Sequence, residues 1–159
     1  MNARNQLLAI VALVALAAAT AHPRVSSATF VVSPRSEVRD LSSAELRRIF
    51  LGQTARWRDH HRIVICLPPA RSPEETLLLE RVVRMSAIDF SQQWVGAVFR
   101  GEAASAPHLF DSRESLLKAV SENRYAIGVV ATSDQTVSPA VAITIDGKSP
   151  DDPSYPVQR

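Results

Sequence analysis

The residues with the clearest chemical potential are Arg71 and Ser72, which stand immediately before Pro73, Glu74 and Glu75. Proline suits the first position of a helix and the preceding serine suits its cap, while Glu74 and Glu75 place negative charge where the helix dipole favours it. A helix start offers unpaired backbone N–H groups to an anion. Arg71 adds a guanidinium that donates well to carboxylates and phosphates. A helix start of this kind, with an arginine just ahead of it, can meet an anion. Two neighbours oppose it. Pro73 has no N–H to give, and Glu74 sets a carboxylate in the same turn. A carboxylate a few ångströms from a bound phosphate costs about 1–4 kcal/mol at surface-like dielectric, enough to remove most of a micromolar affinity. The same residues also read as a helix start and nothing more.

Other reactive side chains form no comparable constellation. Asp59, His60 and His61 are the one clustered metal-like triplet, but adjacent side chains on a turn diverge, and His22 and His108 have no spacing that ties them in; the reading is a solvated turn and no metal. Cys66 is the lone cysteine, so no intramolecular disulfide can form, and it ends an apolar run in which a thiol acts as a small hydrophobe. The sequence has no Gly-x-Ser-x-Gly turn, no His-Glu-x-x-His helix and no phosphate-cradling Gly-rich loop. It therefore reads as a non-enzyme without a cofactor. Arg35, Arg39, Arg47, Arg48, Arg56, Arg58 and Arg62 crowd the first half, and this asymmetry offers a basic face to an anionic surface or acidic partner, or simply solvated helix sides. Without interleaved exposed aromatics, no nucleic-acid partner is expected.

Alternating strand-like and helix-like segments must position these residues, the pattern of an α/β layer fold. Strands are expected at Ala28–Val32, Arg62–Leu67, Ala126–Ala131 and Val141–Ile145. Ser42 with Glu45 forms a capping box before a helix over Ser43–Leu51, whose Leu46, Ile49 and Phe50 share a face and which Gly52 ends. A second helix runs from Pro73 to about Met85, burying Leu78, Leu79, Val82 and Val83, with Glu80 and Arg84 as an exposed pair. Ser86 caps a third, with Phe90, Trp94 and Val98 on one face and Gly101 at its end. Asp111 or Ser112 caps a fourth, carrying Leu116, Leu117 and Val120 and stopping at Asn123. The loop Glu102–His108 and the Pro- and Asp-rich tail after Asp146 read as irregular.

One arrangement of these elements resembles a known family. Leu41-Ser42, Glu45-Leu46, Ile49-Phe50, Gly52 and Trp57, then Ile63-Val64-Ile65, Phe99-Arg100-Gly101, Ala126 to Val130, Ile145-Asp146-Gly147 and Tyr155-Pro156 are similar, in order, to the second lobe of the phosphate-binding components of ABC transporters and their single-lobe relatives. The resemblance spans about Phe30 to Val157. It implies a small mixed β-sheet flanked by helices, like one lobe of a type 2 periplasmic binding protein. It also implies that a small oxyanion such as phosphate would meet Leu67–Glu74, with Arg71 and Ser72 as the ligand-binding residues, where the family carries an arginine followed by Ser-Gly-Thr. Here Ser72 matches the serine, whereas Pro73 stands for the glycine, Glu74 for the threonine and Leu67 for the arginine.

Residues 1–21, with Arg4 ahead of the apolar run Leu7–Ala19 and a small-residue site at Ala19-Thr20-Ala21, read as a cleaved signal peptide, with no lipobox cysteine and no stable membrane anchor. The remaining 138 residues carry 17 Lys and Arg against 16 Asp and Glu, enough chain for one domain, 22–159. The expectation is a periplasmic or secreted solute-binding-like protein with an altered or lost oxyanion site. The alternative is an envelope module that keeps the lobe for a protein partner or for self-association.

Overall fold

The computed structural model describes residues 27–132 and 136–157; the expected signal peptide lies outside the described residues. Strand β1 (Ala28–Val32) is buried along its whole length, as a near-continuous apolar run predicts for a strand covered on both faces. It is followed by β2 (Asp40–Leu41), α1 (Ser43–Phe50), β3 (Val64–Leu67), α2 (Pro73–Leu77), α3 (Ala87–Phe99), β4 (His108–Leu109), α4 (Arg113–Glu122), β5 (Ala126–Ala131), β6 (Val141–Ala142) and β7 (Thr144–Ile145). Between α2 and α3 the helix widens into a π-helical stretch, Leu78–Val83. The main sheet has the order β4-β3-β5-β1-β6. Strand β3 is parallel to β4 and β5, and β1 is antiparallel to β5 and β6. The small mixed sheet flanked by helices is the architecture expected from the sequence.

Period-two alternation sorts the strand side chains into two cores. Phe30, Val32, Ile65, Leu67, Ile127 and Val129 face α1, the α2 continuation and α3. Val31, Cys66, Ala126 and Val130 face Leu116, Leu117 and Val120 of α4. Gly128 is the residue that lets α4 come so close: a Cβ there would stand 2.8 Å from Leu116 Cδ2 and 2.9 Å from Val120 Cγ2. Cys66 is buried in this second core, and loss of water pushes its thiol up to about 12.

The expected terminators hold α1 in place. The Ser42–Glu45 capping box forms, and Gly52 at φ 74° closes the other end with the two bonds of a Schellman motif, Gly52 N–H to Ile49 O (3.0 Å) and Gln53 N–H to Arg48 O (2.9 Å). Trp94 Nε1 donates to Phe50 O at 3.0 Å and Gln93 Nε2 to Leu51 O at 3.2 Å, so α3 satisfies carbonyls that α1 leaves open. Trp57 anchors the following turn by donating to Tyr125 O at 2.9 Å.

Four details differ from the pattern read in the sequence. Val141–Ile145 is not one strand: β6 joins the main sheet, β7 pairs with β2 in parallel, and Ile143 between them bonds Phe30 O. On α3 the buried face is Phe90, Trp94 and Ala97, while Val98 is 38% exposed, because the axis is rotated to bring the Trp94 indole onto α1. The second helix stops at Val83 with Arg84 left-handed (φ 56°), and among the described residues no Glu80–Arg84 ion pair forms because Arg84 has left the helix. Leu77, Leu78, Leu79, Val82 and Val83 are all buried; this apolar arc is too wide for one α-helical face, and the π-helical widening draws Val82 and Val83 under it. The tail is irregular as expected, yet Tyr155 and Val157 are buried and Ala28 N–H bonds Val157 O at 3.0 Å.

Candidate functional site

The Leu67–Glu74 segment leaves the C-terminal end of β3, turns through Pro68 and Pro69, and enters α2 with Ser72 as its N-cap. The structure therefore brings the predicted site residues Arg71 and Ser72 to a helix start at the end of a parallel strand. Their backbone amides and the Ser72 hydroxyl, however, are already engaged. Ser72 N–H donates to Pro69 O at 3.1 Å, its hydroxyl accepts from Glu75 N–H at 3.2 Å, and its carbonyl accepts from both the N–H and the hydroxyl of Thr76 at 3.0 Å. Arg71 is left-handed (φ 63°), and its N–H donates to the Glu75 carboxylate.

Glu75 thus places a negative group against the helix start. The carboxylate that matters is Glu75 rather than Glu74, on which the sequence argument rested. Its signal was available: Ser72 and Glu75 stand three apart, as Ser42 and Glu45 do. In α1 the glutamate returns to its own cap, since Glu45 accepts from Ser42 N–H at 3.0 Å. In α2 that amide is already bonded to Pro69, so the glutamate reaches one residue further back, to Arg71.

The start of α1 is filled in a comparable way from a distant segment. Asp146 accepts the Ser43 N–H at 3.0 Å and also the Ser43 hydroxyl, which holds its carboxyl below the ordinary aspartate range. The bonds from Ser42 do the same for Glu45. Neither α-helix beginning presents a bare row of donors.

The remaining candidates disperse. His61 stacks on Tyr125 with ring centroids 4.2 Å apart and Nδ1 3.3 Å from Asp59 Oδ2, His60 is left-handed at the turn tip, and His108 lies on β4. Among the described residues no three His, Cys, Asp or Glu side chains are grouped to hold a metal ion. A cavity of about 600 Å³ opens beside the N-terminal half of β3, lined by Ile63, Ile65, Trp94 and Val98, away from the Ser72 helix start.

Solved structures share this arrangement of strands and helices. An ABC-type phosphate transport receptor from Vibrio cholerae superposes with a TM-score of 0.66 at 16% identity, covering 86% of this chain and 56% of the receptor. The fold is that of one lobe of a phosphate-binding protein. A putative phosphate ABC transporter substrate-binding protein from Clostridium perfringens, solved with bound phosphate, gives 0.62 at 18% identity over 80% of this chain and 49% of its own. PstS from Borrelia burgdorferi gives 0.64 at 10% identity over 84% and 55%. The chain spans about half the length of these phosphate-binding proteins. No protein-family model and no curated protein sequence matches it. Among the described residues, no helix is long and apolar enough to cross a membrane.

Proposed function

We propose that this chain is an exported, non-enzymatic relative of the phosphate-binding components of ABC transporters, built on the fold of one lobe and altered at its oxyanion site. The observation that carries this reading is the Glu75 carboxylate lying against the Arg71 amide at the place where the family resemblance puts the anion. Pro73 removes a further donor from the same turn. Arg71 and Ser72 are the residues a ligand would meet there, through the exposed Arg71 side chain. A two-lobed binding protein buries its ligand by closing about a hinge, whereas the lobe described here leaves the helix start open to water, which favours weak binding. The test is a panel of phosphate, sulfate and small carboxylates against the melting temperature of residues 22–159. A small, saturable rise with an oxyanion supports solute recognition. No shift across the panel contradicts it.

A second reading, a module that binds a protein partner in the envelope, is favoured by a different observation. Ile88, Val95 and Phe99 form one stripe along α3 and are 69%, 54% and 88% exposed. Co-purification of a partner burying about 1,000 Å² or more, lost on Phe99→Ser, supports this reading.

A further inference from the structure

The fold gathers three arginines that the sequence scatters. Arg47 on α1, Arg81 in the π-helical stretch and Arg84 just beyond it line one pocket of about 220 Å³, whose apolar walls include Leu46, Val82 and Val157. No Asp or Glu lines it, and among the described residues none of the three guanidiniums has a hydrogen-bond or ion-pair partner. Ser43, itself a lining residue, is held by the Asp146 carboxylate.

Three like charges around one concavity repel unless an anion sits between them. The backbone at this place is also costly. Leu78–Val83 is π-helical and Arg84 takes a left-handed conformation that a side chain disfavours; both features recur at functional sites. Basic residues in a last helical turn are ordinarily explained by the helix dipole, which accounts for Arg47 and Arg81 singly. It accounts for Arg84, the C-cap of the same stretch, in the same way, but not for the lining of one pocket by all three.

We propose that Arg47, Arg81 and Arg84 form an oxyanion-binding site separate from the Ser72 helix start. The volume is below the range of about 300–1,000 Å³ usual for drug-sized ligands, which restricts the occupant to a small group. Guanidinium forks match a phosphoryl or sulfate group best, since its several oxygens accept paired N–H donors. Free phosphate and the phosphoryl headgroup of an anionic lipid share that chemistry.

The experiment is a titration of ¹⁵N-labelled residues 22–159, a chain that contains the whole described fold, with inorganic phosphate and separately with phosphatidylglycerol vesicles. The site predicts saturable shifts at the Arg47, Arg81 and Arg84 amides. Arg47→Gln and Arg81→Gln should each weaken binding about tenfold, the loss of one charge-assisted bond, while Arg58→Gln leaves it unchanged. Arg84→Gly should raise the melting temperature by relieving the left-handed strain and still weaken binding, a combination that a purely structural arginine would not give. Shifts with phosphate assign a free oxyanion, and a response to vesicles alone assigns the headgroup. No response to either, or a response that Arg47→Gln and Arg81→Gln leave intact, overturns the site. Shifts centred on Arg71 and Ser72 instead would overturn it, and with it the closure of the Ser72 helix start by Glu75, while leaving solute recognition itself in place.

Discussion

The Arg71 N–H donates to the Glu75 carboxylate while the Ser72 hydroxyl between them accepts the Glu75 N–H at 3.2 Å. The pair closes a small ring at the mouth of α2, with the protein's own carboxylate at the place where the proposed reading puts an oxyanion. An attached carboxylate is always at hand, so a dissolved anion must displace it as well as bind. Replacing Pro73→Gly, Glu74→Thr and Glu75→Ala together restores a Ser-Gly-Thr start and frees the Arg71 amide. Phosphate affinity at this position should then tighten about tenfold or more, from removal of nearby negative charge. Isothermal titration calorimetry of the triple variant checks it, and an unchanged affinity contradicts the blockade.

Gly52 sits at φ 74°, and a Cβ there would stand 3.1 Å from the Trp94 ring. Gly52→Ala is strained by its backbone and also presses on the indole that caps Phe50 O. The expected cost is about 1–3 kcal/mol, read as a lower urea midpoint with an unchanged slope.

Acid should loosen α1 through two carboxylates. Bonds from Ser42 depress Glu45 from its ordinary 4.5, and bonds from Ser43 depress Asp146 from 3.8. A depressed carboxylate stabilises the fold fully above its unfolded value. That contribution is lost as pH falls from these values through the lowered folded ones. Glu45→Gln with Asp146→Asn should flatten the fall in melting temperature over this acid window, while lowering stability at neutral pH.

The Tyr155 hydroxyl is buried near the Phe30 main chain without completing a hydrogen bond, and burial pushes its pKa up to about 12. Tyr155→Phe removes an unsatisfied polar group and should stabilise by about 1 kcal/mol, seen as a higher melting temperature. A lower one would mean that the hydroxyl has a partner.

Most of the fold was legible because its local signals agree. Ser42, Ser72, Ser86 and Ser112 all cap helices, and Gly52 and Gly101 end them. Strand β4 was missed because two residues, both exposed, carry no apolar alternation. The break at Ile143 is not legible because Val141–Ile145 is a continuous strand-favouring run interrupted only by Thr144, and only tertiary pairing tells which half joins which sheet. At the candidate site, the proline and the glutamates of the first turn are legible in the sequence. Which glutamate closes the site depended on the prior engagement of the Ser72 amide with Pro69, a turn geometry invisible in residue types. The gathering of Arg47 with Arg81 and Arg84 is a packing outcome that no spacing announces.

The most direct measurement is the response of the Arg71, Ser72 and Glu75 amides to inorganic phosphate in the labelled wild-type chain. With the helix start closed by Glu75, these three resonances should stay in place as phosphate is raised, whatever moves elsewhere. Saturable shifts at Ser72 and Glu75, or a phosphate bound to the Ser72 amide in a crystal, would contradict the account.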